Sequence, residues 1–187
     1  NRLECSHSLY LLPAGPEIFS GVAGGESGVN IQVIAVGKIK EQYLQDGIEE
    51  YRKRIQRYGR LQIIEVKEES FNEPLSPREL ELVLQREGER LLGRINPRAY
   101  VIALDRLGQA WSSEQLAKEF QTLAVAGTSQ IDFIIGGSLG LDQKVLERAQ
   151  TSLSFSGFTF PHQLMRLILA EQIYRAFTIV QGERYHK

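Results

Sequence analysis

Apolar positions along this chain keep two different spacings, and the two alternate. Short aliphatic runs, Ile31 to Val36, Leu61 to Val66, Ala99 to Leu104 and Ile131 to Ile135, have the length and β-branched content of buried strands. Between them apolar residues recur every three or four positions. Tyr43, Leu44, Ile48, Tyr51 and Ile55 give one face to a helix predicted from Lys40 to Tyr58. Ser76-Pro77-Arg78-Glu79 opens another: a serine cap, proline at the first helical position and glutamate three residues after the cap. Asn96-Pro97 ends that helix near Ile95. A second capping pattern, Ser112 to Gln115, precedes a helix through about Ala126. With a short helix opened by Asp142, a strand ending near Phe155 and a long helix after Pro161, five strands alternate with five helices. That order predicts an α/β fold with a mainly parallel sheet flanked by helices.

The stretch from Ile131 to Phe177 organises the rest. A buried strand runs into a glycine loop (Gly136, Gly137, Gly140), and a later strand runs into Phe155-Ser156-Gly157-Phe158-Thr159-Phe160. Two strand ends therefore bring two loops to one sheet edge, where open α/β sheets bind ligands. Glycine there either lets a ligand approach the backbone or makes a tight turn. The alternating phenylalanines either wall an adenine ring or fill a core. The last helix carries Leu164, Met165, Leu167, Ile168, Leu169, Ile173, Ala176 and Phe177 around most of its circumference, which predicts two buried faces. One face covers the sheet and the other suits a copy of itself in a homodimer.

Composition narrows the class. The 187 residues, 42% hydrophobic, suffice for one domain with a sizeable core. Lys+Arg 22 against Asp+Glu 23 leaves a net charge of −1, so bulk electrostatics cannot hold nucleic acid and any RNA contact must be patchy or shape-driven. Cys5 has no second cysteine to pair with, and no Cys/His cluster has metal-ligand spacing, so no metal is expected. The lone cysteine makes the cytoplasm the expected compartment, and without a run approaching the roughly 18 apolar residues of a membrane span no membrane partner is expected.

Several segments together resemble the RlmH family of SPOUT-class methyltransferases: IGGSLGL (135–141), LSFSGFTFPHQLMRLILAEQIYRAF (153–177), GERYHK (182–187), NIQVIAVGKIK (30–40), EGERLL (87–92) and VIALDRLG (101–108). The resemblance implies methylation of N3 of a pseudouridine in helix 69 of 23S (large-subunit) ribosomal RNA, with S-adenosylmethionine as cofactor and free rRNA or the assembled ribosome as partner. It also implies a homodimer with the active site near its interface, and a C-terminal trefoil knot that general topology rules would not supply. It divides the chain into a non-family extension over 1–29, a leader or appended segment with Val29 as the expected native start, and a SPOUT domain over 30–187. It places the cofactor on Leu104, Gly136 and the Phe155, Ser156, Gly157, Phe158, Thr159, Phe160 loop.

Methyl transfer to a nitrogen that carries a proton needs a base or a stabilised anion. His162, at the mouth of the last helix, and His186, in the tail, have the suitable reference pKa. Arg166, Arg175, Arg184 and Lys187 are candidates for phosphate contacts, with Tyr185 as a stacking ring. Glu171 and Arg175 also have the spacing of an ordinary helical ion pair, and Arg52, Lys53, Arg54 and Arg57 that of a solvated face. Two other functions remain open on the residues alone: a noncatalytic ribosome-binding factor of this fold, and a nucleotide-cofactor oxidoreductase. The oxidoreductase is disfavoured because Ala35-Val36-Gly37-Lys38 lacks the G-x-G-x-x-G turn.

Overall fold

Both serine caps close as capping boxes. In the computed structural model, which describes residues 28–185, Ser76 Oγ accepts from Glu79 N at 3.3 Å while the Glu79 carboxylate accepts from Ser76 N at 2.8 Å. Ser112 and Gln115 repeat this at 3.2 and 2.7 Å. They open α2 (Pro77–Leu92) and α3 (Ser113–Val125). The other helices are α1 (Gln42–Ile55), α4 (Gln143–Arg148), capped by Asp142, and α5 (His162–Val180).

The strands β1 (Val29–Val36), β2 (Gly59–Val66), β3 (Tyr100–Ala110), β4 (Gln130–Ile135) and β5 (Thr151–Ser154) form one sheet in the order β2-β1-β4-β3-β5, with every neighbouring pair parallel. Alternation along β1 splits the core. Ile31, Val33 and Ala35 pack with α1, α3 and α5, whereas Ile34 and Val36 pack with Leu91 of α2 and Val145 of α4. The result is three layers, α1/α3/α5 over the sheet over α2/α4. Because all strands run the same way, the loops after β1, β3, β4 and β5 gather at one edge. Val29 pairs with Gly59, so β1 begins one residue before the expected domain boundary. The expected extension otherwise lies outside the described residues.

One strand departs from expectation. β3 does not stop at Leu104 but continues to Ala110, and its register to β5 jumps between Leu104 and Gln109, so that 105–108 bulge from the ladder. Gly108 lies on the main chain of Ser152, where a Cβ would come within 2.6 Å of backbone atoms.

The last helix divides its apolar residues as two faces would. Leu169, Ile173, Ala176 and Phe177 have no exposure, while Leu164, Leu167 and Ile168 stay half-buried in the single chain. Ile173→Ala is expected to destabilise the fold by roughly 2–5 kcal/mol through the cavity it leaves. Urea unfolding checks this, and a loss below about 1 kcal/mol would mean that Ile173 is not a core residue.

Candidate functional site

A cleft of about 770 Å³ opens over the carboxyl ends of β3, β4 and β5. Leu104 to Leu107, Ile135 to Leu141 and Leu153 to Ser156 line it, with Phe158 to His162 and Met165. The structure thus brings together Leu104, Gly136, Phe155, Ser156, Phe158, Thr159, Phe160 and His162 from the expected set. Gly157 belongs to the same loop, exposed and with open space beside its α-carbon. Phe155 and Phe160 are half-buried, but Phe158 is 79% exposed and so is neither a core ring nor a fully packed wall.

The glycine loop is shaped mainly by its own chain. A Cβ on Gly136 would fall inside contact distance of the Gly140 carbonyl oxygen, and Gly137 and Gly140 form an isolated bridge. Gly140, at φ +99°, is the residue that needs left-handed backbone. Under the loop, Glu87 is buried and accepts from Glu69 N at 2.9 Å. Its other oxygen stands 2.9 Å from where a Gly137 side chain would begin. Burial pushes the Glu87 carboxyl above its ordinary value. Sequence reasoning did not single out Glu87 as a prop; its only sign was a glutamate–glycine pair interrupting the apolar face of α2.

His162 is half-buried at the cleft, its Nε2 and the Glu68 carboxylate both turned toward Gly37. Burial lowers its pKa, the neighbouring Arg166 charge lowers it further, and Glu68 opposes both. The imidazole therefore keeps its neutral, proton-accepting form to lower pH than a free histidine.

Arg166, expected to meet phosphate, is a correction. Its side chain has no exposure. It donates to Val36 O at 2.5 Å, Gly37 O at 3.0 Å and Glu65 Oε1 at 3.1 Å, joining the first turns of α5 to the ends of β1 and β2. The same Glu65 oxygen accepts from Ile39 N at 2.8 Å, and Gln163 accepts from Lys40 N at 2.9 Å.

Of the remaining candidates, Arg175 lies in the second half of α5 and Arg184 and Tyr185 follow it. Its 19 residues separate the two ends by roughly 28 Å. Arg175 pairs with Glu171 at 2.5 Å and lies 4.8 Å above the Tyr185 ring. Tyr185 packs edge-on against Tyr174 at 4.8 Å and donates to Glu171 at 3.2 Å. Neither is turned outward as expected, because the carboxylate and ring that satisfy them lie on the same helix. Arg184 is exposed, and His186 and Lys187 lie outside the described residues. On α1 and just beyond it, Arg52, Arg54 and Arg57 pair with Glu49, Glu50 and Glu183. Among the described residues no group of three or more His, Cys, Asp or Glu could hold a metal, and no helix is long and apolar enough to cross a membrane.

Arg166→Met is expected to lower stability by roughly 1–3 kcal/mol for each buried carbonyl left unpaired. Denaturant midpoints check this, and a neutral outcome would make the clamp incidental.

Comparison with known proteins agrees with this geometry. A family model described as "Predicted SPOUT methyltransferase" matches residues 29–186. Proteins named "Ribosomal RNA large subunit methyltransferase H" are similar over 159 residues, 85% of this chain and the whole of each relative. The one from Limosilactobacillus fermentum is 55% identical, that from Carboxydothermus hydrogenoformans 56% and that from Clostridioides difficile 55%. With the parallel sheet, the cleft over its strand ends and a match across all ten described elements, the chain belongs to the SPOUT methyltransferase family.

Proposed function

We propose that this protein methylates N3 of a pseudouridine in helix 69 of large-subunit ribosomal RNA, with S-adenosylmethionine as donor, and works as a cytoplasmic homodimer. The observation that carries the reading is the cleft over β3, β4 and β5, formed by the segments of the family resemblance, in a chain 55% identical to a named rRNA methyltransferase along that protein's whole length. The close wrap of 105–108 over Ser152, just before the chain enters α5, supports the trefoil threading that the resemblance implies.

The cleft suits the donor. Its volume lies in the range of small-molecule sites, and its lining combines Leu104, Leu153, Phe155 and Phe160 with the main chain of two loops. Those apolar side chains would enclose an adenine while loop N–H and C=O groups fix its edge. When bound, S-adenosylmethionine supplies an electrophilic methyl carbon on a sulfonium. The protein's part is to hold the acceptor nitrogen in line with that carbon and to take its proton. His162 is the described residue whose position and neutral form suit the proton transfer.

The length of α5 supports the dimer. Arg184 and Tyr185 lie toward the end of α5 away from the cleft of their own chain, whereas the half-buried Leu164, Leu167 and Ile168 offer a face on which a second copy would bring its tail near. Arg184, Tyr185, His186 and Lys187 would then complete the partner's site.

A labelled-methyl assay on free rRNA, isolated subunits and assembled ribosomes, followed by nucleoside analysis, tests the reaction. Label recovered as N3-methylpseudouridine is expected, and label in any other nucleoside overturns the assignment. If His162 takes the proton, activity falls as acid protonates it, so the acidic limb of kcat/KM should lie below the ordinary histidine value of about 6.5. His162→Gln should remove that limb and lower kcat; an unchanged profile excludes His162 as the base. Deleting Tyr185 to Lys187 should abolish transfer, and mixing that variant with His162→Gln should restore activity through heterodimers. An inactive mixture with demonstrated subunit exchange would assign tail and cleft to one chain.

A further inference from the structure

Two large apolar side chains at this cleft are left in the open. Leu107, in the loop that bulges from β3, is 85% exposed, and Phe158, in the loop after β5, is 79% exposed. Both line the cleft mouth. Arg106, beside Leu107, also lines it, is exposed, and has no ion-pair or hydrogen-bond partner among the described residues. Other arginines, Arg60 and Arg78 among them, also have no carboxylate partner among the described residues, but Arg106 is the arginine that lines the cleft, next to two bare hydrophobes.

The combination has a chemical match. An unstacked nucleobase in RNA offers a π face for an aromatic ring, and the flanking phosphate offers a negative charge for a guanidinium. A protein with a net charge of −1 cannot gather RNA by its overall field, so its contacts must be concentrated at a few points. The cofactor wall does not require the Phe158 ring, since Phe155 and Phe160 already supply half-buried apolar surface there. A hydrogen bond from Phe158 N to Ser156 Oγ at 3.1 Å fixes the turn that carries the ring outward.

We propose that Phe158 and Leu107 are the lips that grip the target nucleoside, Phe158 stacking on its base and Arg106 holding an adjacent phosphate. This rests on the reading of the cleft as an rRNA methyltransferase site. It moves Phe158 from the cofactor's wall to the substrate's, while the main chain of its loop stays with the cofactor. The occupant is single-stranded RNA because the lips combine a stacking ring with a cation at the mouth of the site where the acceptor must enter.

The test uses full-length protein and three variants, Phe158→Ala, Phe158→Trp and Arg106→Gln. S-adenosylmethionine affinity is measured by calorimetry, and methyl transfer is measured as kcat and KM for purified ribosomal particles. Phe158→Ala should raise KM about tenfold, within the range expected for losing one base–aromatic stack, with donor affinity within about twofold of wild type. Phe158→Trp should restore KM, which a merely structural role for the ring would not do. Arg106→Gln should raise KM and flatten its salt dependence. An unchanged KM in Phe158→Ala overturns the proposal, as does an equal loss of donor affinity, which would return the ring to the cofactor. If wild type transfers no methyl group to any ribosomal particle, the functional reading itself fails. Co-sedimentation with the particles then decides the lips: binding by wild type but not by Phe158→Ala supports them, and equal binding or none by either overturns them.

Discussion

The fixed point of this molecule is the buried guanidinium of Arg166. Taking a cation out of water costs several kcal/mol unless charge and hydrogen bonds replace the lost hydration. Glu65 and the carbonyls of Val36 and Gly37 supply that replacement for the two terminal nitrogens, while Nε is buried without a partner among the described residues. They come from the ends of two neighbouring strands, so the first turns of α5 can take only one position along the sheet. His162 and Met165 are held at the cleft as a result, and the Gly37 turn is held against the imidazole. The same charge helps to keep that imidazole neutral. A cation whose place in the sequence suggests an RNA contact is thus the element that fixes His162 and Met165 at the cleft.

Much of the fold could be read from short-range signals. The capping boxes at Ser76 and Ser112 declare themselves within four residues, and the aliphatic runs are long enough to be strands whatever they pair with. The second half of β3 could not be read this way. Asp105 to Ala110 has no alternation of apolar and polar residues, and its strand character comes from pairing with Leu153 and Ser154, more than forty residues later. The cleft residues were legible because strand ends in a parallel sheet converge by geometry. The arginines were not, because sequence displays a charge but not its partner. Glu65 lies 101 residues from Arg166. Glu171, four residues from Arg175, is a partner that spacing alone makes visible, and it does pair with it.

The glycine loop is small for the sake of its own packing. Gly136 and Gly137 do lie at a ligand-sized cleft, yet the space that their missing side chains leave is taken by the Gly140 carbonyl and by Glu87. Their smallness serves the close packing of the loop on itself and on α2, and that packing presents the loop's edge to the cleft. Open space of the kind a ligand can enter lies instead beside Gly140 and Gly157.

The strand order has a consequence for how the protein comes into being. Ile31 pairs with Leu61 on one side and with Ile131, a hundred residues downstream, on the other. On a ribosome adding residues from the N-terminus, β1, α1 and β2 emerge early, with the inner edge of β1 unpaired and the faces of the sheet only partly covered. They wait for β4, then for α5, before the sheet is covered. Such non-local pairing is slow to close and leaves strand edges open to aggregation in the interval. The cleft is finished only when Arg166, among the last segments made, docks against the ends of the first two strands. A nascent or truncated chain lacking that docking would leave the cleft over β3, β4 and β5 unfinished, however complete the strands that border it.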